Sequence, residues 1–101
     1  MGVRFTPQAG TDLEEIGDYI ALANPVRARG FVVELRKQCE KISRNPRGYR
    51  ARPELAEDLH SCVFRRYVIL YQTDGVNVLI VRLLHEAMDI PRHFRVQEDT
   101  P

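Results

Sequence analysis

Residues 67–85 run Tyr67-Val68-Ile69-Leu70-Tyr71-Gln72-Thr73-Asp74-Gly75-Val76-Asn77-Val78-Leu79-Ile80-Val81-Arg82-Leu83-Leu84-His85, the most strongly β-forming stretch of the chain. Valine, isoleucine, leucine and tyrosine crowd both sides of Thr73-Asp74-Gly75, a tight-turn signal, so the stretch predicts two antiparallel strands, Tyr67 to Gln72 and Val76 to His85. The run Val76 to Val81 is apolar at nearly every position. Such a strand is covered on both faces or lies at the centre of a sheet. Arg82 and His85 interrupt it. Immediately upstream, Leu59 to Phe64 has the same β-forming character, which completes a three-stranded meander.

Farther upstream the period changes from two to about 3.6. Val3 to Phe5 is a short extended start, and Thr6-Pro7 supplies a cap followed by a proline suited to the first helical position. Ala9, Leu13, Ile16, Ile20 and Ala23 then recur on one face, with Asp12, Glu14, Glu15 and Asp18 placed on the remainder. Asn24-Pro25 repeats the start signal. Ala28, Phe31, Val32, Leu35, Cys39 and Ile42 form a second, longer apolar stripe that Asn45-Pro46 ends, because proline disfavours a helical conformation at the preceding residue. Two amphipathic helices joined by a tight turn make an antiparallel hairpin whose apolar faces require a sheet to cover. Between hairpin and meander, Pro46 to Asp58 reads as an irregular basic stretch. The predicted class is α+β: a helical hairpin packed on a mainly antiparallel sheet, in the order β-α-α-β-β-β.

After His85, Asp89 is placed to cap a short helical turn containing Pro91, and the polar tail from residue 96 is expected to fray. The chain of 101 residues accommodates one domain, here 1–95, with 96–101 as tail. Hydrophobic residues are 44% and charged residues 29%, a globular balance that argues against disorder. No apolar run approaches the roughly 20 residues needed to span a bilayer, and MGVRFTPQ lacks a signal peptide's apolar core, so a cytoplasmic location is expected. Cys39 and Cys62 sit in apolar patterns without metal-ligand spacing and read as small buried hydrophobes; neither metal nor cofactor is expected.

The net charge of +1 hides an asymmetry. From Arg27 to Arg52 there are nine basic residues (Arg27, Arg29, Arg36, Lys37, Lys41, Arg44, Arg47, Arg50 and Arg52) against Glu34 and Glu40, and 13 of the chain's 15 cations are arginine. Such a segment suits phosphate or carboxylate partners, or forms a solvated helix face. There is no helix-turn-helix signal, zinc spacing or aromatic-rich strand motif, so direct nucleic-acid binding is not expected.

Several segments in this order resemble the RelE/ParE toxin superfamily, and ParE-like members in particular. They are Phe5-Thr6-Pro7-Gln8-Ala9 with Asp12-Leu13-Glu14-Glu15-Ile16 and Asp18-Tyr19-Ile20; Ile42, Asn45-Pro46 and Arg52-Pro53-Glu54-Leu55; and Arg66-Tyr67-Val68-Ile69-Leu70-Tyr71, Val81-Arg82-Leu83-Leu84-His85, Met88-Asp89-Ile90 and Phe94. The resemblance implies the toxin of a type II toxin–antitoxin pair, a growth-arresting protein used in plasmid or chromosome maintenance. It also implies a cognate ParD-like antitoxin that wraps a flexible segment along the hairpin and sheet edge in a hetero-oligomer. The implied target is DNA gyrase, inhibited by binding, with Arg50, Arg52, Arg65, Arg66, Arg82, Met88, Asp89, Arg92 and Phe94 as target-binding candidates. Ile16, Tyr19, Arg27, Phe31 and Leu35 are the antitoxin-binding candidates, although the apolar members also suit the hairpin's own core.

The related RelE-like toxins cut ribosome-bound messenger RNA, which needs a base for the ribose 2′-hydroxyl, an acid for the leaving oxygen and cations for the phosphorus charge. His85, Glu86 and Arg82 are the residues to consider for that chemistry. RelE-like enzymes usually add a tyrosine near the C-terminus, whereas none follows Tyr71 here. For Arg82 and His85 the competing reading is structural, with the arginine paired to a carboxylate and the histidine hydrogen-bonded to backbone.

Overall fold

In the computed structural model, which describes residues 2–88 and residue 90, the chain forms five strands and two helices. Strand β1 (Gly2–Phe5) leads into helices α1 (Pro7–Ala21) and α2 (Pro25–Arg44), followed by β2 (Arg50–Ala51), β3 (Leu59–Phe64), β4 (Tyr67–Thr73) and β5 (Asn77–His85). The sheet order is β1-β5-β4-β3-β2. β2 through β5 pair antiparallel, and β1 pairs parallel to β5. This is the expected α+β arrangement, with β2 an added strand in the stretch expected to be irregular. Two residues long, β2 has too little apolar character to register as a strand in isolation; it forms by pairing Arg50 with Ser61 and Ala51 with His60.

Both helix starts use the predicted chemistry. Thr6 Oγ1 accepts from the Ala9 N–H at 3.0 Å and Asn24 Oδ1 from the Arg27 N–H at 3.0 Å, with Pro7 and Pro25 in the first turn. Ala23 does not join the apolar face of α1. The helix ends at Ala21, and Ala23 lies exposed in the turn. Gly17 marks where the two helices press together, since a Cβ there would stand 3.2 Å from Val32 Cγ2.

The sheet is covered on both faces. Ala9, Leu13, Ile16, Phe31, Leu35, Cys39 and Ile42 from the hairpin meet Cys62, Ile69, Tyr71, Val78, Ile80 and Leu83 on one side. Leu59, Val68, Leu70 and Leu84 pack on the other beneath Leu55, Ala56 and Ile90. The alternation along β4 thus divides cleanly between two cores, as period-two patterning requires. Each of these large side chains contributes about 1.5–3 kcal/mol on full burial. Cys39 and Cys62 are both free and buried, and burial pushes the Cys39 thiol up to about 12 and raises that of Cys62.

β5 carries an irregularity that the sequence does not announce. Leu70 opposes Arg82 while Tyr71 opposes Ile80, so Val81 is an inserted residue. A single insertion flips the side-chain alternation. Val78 and Ile80 before it and Leu83 after it consequently all join the hairpin-facing core. The disturbed backbone is satisfied from the start of α1: Thr6 Oγ1 donates to the Val81 carbonyl at 2.9 Å, and Asp12 Oδ2 accepts from the Leu83 N–H at 3.0 Å.

Candidate functional site

The end of the sheet where β3 turns into β4, and where β5 finishes, collects most of the chemistry. Arg65 and Arg66 are the two central residues of the β3–β4 hairpin. Tyr67 starts β4 opposite His85 at the end of β5. Phe31 of α2 lies over this end, its ring 6.1 Å from Phe64 and 5.5 Å from Tyr67, while Tyr67 meets His85 edge-on at 5.3 Å. Arg27 sits over the Phe31 ring at 5.3 Å and Arg65 over Phe64 at 5.4 Å. The result is a row of four rings flanked by two guanidiniums; Phe31 is buried as its base and the half-buried Phe64, Tyr67 and His85 give it surface, a pairing of apolar area and fixed positive charge common in binding hot spots.

Glu34 organises the cations. Its Oε2 accepts a hydrogen bond from Arg27 Nη1 at 3.2 Å, and Oε1 lies 3.2 Å from Arg65 Nη2 without hydrogen-bond alignment. Arg66 Nη1 pairs with Glu86 Oε2 at 3.3 Å. These are exposed pairs worth about 0–1 kcal/mol each, so a partner offering better-placed carboxylates can replace them at little cost. Arg65 also has φ 57°, a left-handed conformation that favours glycine. Holding a long cationic side chain there costs on the order of 1 kcal/mol.

Beside the aromatic row runs a groove of 470 Å³ between α1 and β5, lined by Glu15, Ile16, Tyr19, Tyr67, His85 and Met88 among others. Tyr19 is 72% exposed at its rim and Met88 is 44% exposed. Burial raises the Tyr67 hydroxyl above the usual tyrosine value.

Arg82 takes a different position from the one its sequence suggests. Its Nε donates to Asp12 Oδ2 at 2.8 Å and its Nη2 to Asp12 Oδ1 at 3.1 Å, with the two side chains only 12% and 6% exposed. Asp12, expected among the solvent-facing acids of α1, is instead buried. It accepts four hydrogen bonds, one from Gln8 Nε2 at 3.4 Å on its own helix and three from Arg82 and the Leu83 N–H of β5. His85 Nδ1 accepts from the Ala87 N–H at 3.0 Å.

Ile16, Phe31 and Leu35 are core residues, 7%, 4% and 0% exposed. Phe31 and Leu35 therefore offer a partner almost no surface, while Ile16 shows only at the wall of the groove. Tyr19 and Arg27 of the same set are exposed and border the aromatic row and groove. Arg50 and Arg52 lie apart on the β2 edge, where Arg52 pairs with Glu54 at 2.6 Å and approaches Ser61 Oγ at 3.4 Å. That pairing holds the Glu54 carboxyl below its usual range. Asp89, Arg92, Phe94 and the turn around Pro91 lie outside the described residues, as does the 96–101 tail. Tyr67 and Glu34 were absent from the sequence-derived set; the position of Tyr67 directly after Arg65-Arg66 in a strand is the one signal that pointed to it.

Among the described residues the chain is thus a helical hairpin on a mixed sheet, with arginines and aromatic rings gathered at one end. A solved structure described as the chromosomal ParDE TA system from P. aeruginosa matches with a TM-score of 0.71, covering 84% of this chain and 95% of that one at 20% sequence identity, a likeness of fold. Comparison with curated protein sequences returned no match. The family model described as ParE toxin of type II toxin-antitoxin system, parDE, matches residues 3–90, and the chain belongs to that family.

Proposed function

We propose that this protein inhibits DNA gyrase by binding, without a chemical step of its own, and that a cognate ParD-like antitoxin neutralises it in a cytoplasmic hetero-oligomer. The observation that carries the reading is the arginine-flanked aromatic row at the β3–β4 hairpin in a chain of the ParE toxin family. Arg65 and Arg66 are the leading target contacts, with Met88 beside them. The strained backbone of Arg65 supports the assignment, because a turn optimised for stability alone would carry glycine there. The nuclease alternative requires Arg82 to face a scissile phosphate. Its guanidinium is occupied by Asp12, His85 Nδ1 is occupied by a backbone N–H, and Glu86 is drawn to Arg66.

Supercoiling by purified gyrase tests the proposal, using the chain freed of antitoxin alongside Arg66→Ala and Arg65→Gly. The wild type is expected to abolish supercoiling, with both variants weaker by about tenfold or more, as for truncation of a hot-spot side chain. Arg65→Gly keeps the turn and relieves its backbone, so its melting temperature should hold or rise. Full inhibition by both variants would remove this hairpin from the target surface. Uninhibited gyrase together with cleavage of ribosome-bound message would transfer the function to the nuclease reading and to His85, Glu86 and Arg82.

A further inference from the structure

The hairpin at the sheet end accounts for Arg65 and Arg66, yet a larger group of cations lies elsewhere. Arg29, Arg36, Lys37, Lys41 and Arg44 are all exposed on α2, and Arg47 follows at its end beside the Gly75 turn. Among the described residues none of the six forms an ion pair, whereas Arg27, Arg52, Arg65, Arg66 and Arg82 all do. Glu34 serves Arg27 and Arg65, which leaves Glu40 as the other carboxylate of the helix. The neighbouring helix has the opposite character: α1 carries no cation and exposes Glu14, Glu15 and Asp18. With a net charge of +1, the molecule is an electrostatic dipole more than a bulk cation. Such a layout orients approach to a polyanion with α2 foremost.

We infer that the exposed face of α2, continued by Arg47, docks on the phosphate backbone of duplex DNA without reading its sequence. From Arg29 to Arg44 the helix rises about 22 Å, alongside which a duplex presents on the order of a dozen phosphates over both strands. The cations diverge around the helix. Arg36 and Arg44 border β1, and at 3.6 residues per turn Lys37 and Lys41 lie roughly 100–140° around the helix from Arg36. A helix of this diameter thereby offers positive charge to both sides of a groove. An acidic protein partner fits less well, since specific protein interfaces rely on apolar anchors and the stretch from Arg29 to Arg47 exposes a single large hydrophobic, Val33. Phosphate docking needs none of the sequence-reading motifs missing from this chain.

Fluorescence anisotropy with a short duplex of scrambled sequence, across a salt series, tests this with the full chain and no gyrase present, so its outcome is independent of the target assignment. Binding is expected with a dissociation constant of about 1–100 µM near physiological salt, weakening steeply as salt rises. Replacing Arg36, Lys37, Lys41 and Arg44 by glutamine is expected to weaken binding by about tenfold or more and to flatten the log–log salt slope by about 0.9 for each phosphate that is no longer neutralised. Glu14→Gln with Glu15→Gln, on the opposite helix, should leave the slope unchanged. Circular dichroism checks that the variants fold. DNA affinity and slope unaltered in a folded four-site variant, or tighter binding to polyglutamate than to the duplex, would overturn the inference.

Discussion

Asp12 shows how one buried carboxylate links chain segments 70 residues apart. Its two oxygens take both Arg82 bonds and the Leu83 N–H, so every member of the set has a partner. A buried ion pair of this kind contributes little net attraction after desolvation, but removing one member strands the other. Asp12→Ala is therefore expected to lower stability by about 3–5 kcal/mol in urea denaturation, whereas Asp12→Leu with Arg82→Met recovers most of that loss. A cost below about 1 kcal/mol for the single change would mean that Arg82 finds water or another carboxylate. The same contacts explain why an arginine in an otherwise apolar strand need not mark a reactive centre.

The hairpin between β4 and β5 illustrates the element scale. Asp74 Oδ1 accepts from the Asn77 and Val76 N–H groups at 2.8 Å each, and Oδ2 accepts from the Asn77 side chain at 3.2 Å. These donors, the Asn77 backbone foremost, hold its carboxyl down from 3.8 to about 2. Gly75, at φ 98°, completes the turn, with Arg47 packed where a Cβ would stand. A depressed folded value means that the carboxylate's stabilising contribution is complete above pH 3.8 and is lost as pH falls through about 2. Asp74→Ala should therefore melt below the wild type at neutral pH, and the gap should narrow across that acid window. A gap that stays constant with pH would show that the turn does not depend on the carboxylate's charge.

Across the whole molecule, the same face of the hairpin that builds the core leaves its edge to partners. Tyr19 and Arg27 stand on α1 and α2 at that edge, next to the groove and the aromatic row. With Phe31 and Leu35 committed to the interior and Ile16 showing only at the groove wall, we propose that antitoxin contact at this edge falls to the two exposed residues. Tyr19→Ala and Arg27→Ala are expected to weaken antitoxin binding by about tenfold each while leaving the fold intact, as read by calorimetry and thermal melting. Unchanged affinity in both would move the antitoxin to another surface. On this reading antitoxin and target share one end of the molecule, since Arg27 flanks the aromatic row and Met88 lines the groove, whereas DNA takes the outer face of α2.

The sequence by itself determined the elements. Thr6-Pro7 and Asn24-Pro25 start helices through local capping, the 3.6-residue stripes fix which faces are buried, and Thr73-Asp74-Gly75 closes a hairpin through its own side chain; all are short-range effects. Only the tertiary structure decided that β1 lies parallel against β5, that Arg50 and Ala51 form an edge strand, and that Val81 is inserted in the β4–β5 pairing. Each depends on partners distant along the chain. Packing of α1 beside β5 brings Asp12 to Arg82, and the hairpin packing brings Phe31 and Arg27 over Phe64 and Tyr67. Periodicity identifies a residue's own face, but it carries no information about which distant side chain that face will meet.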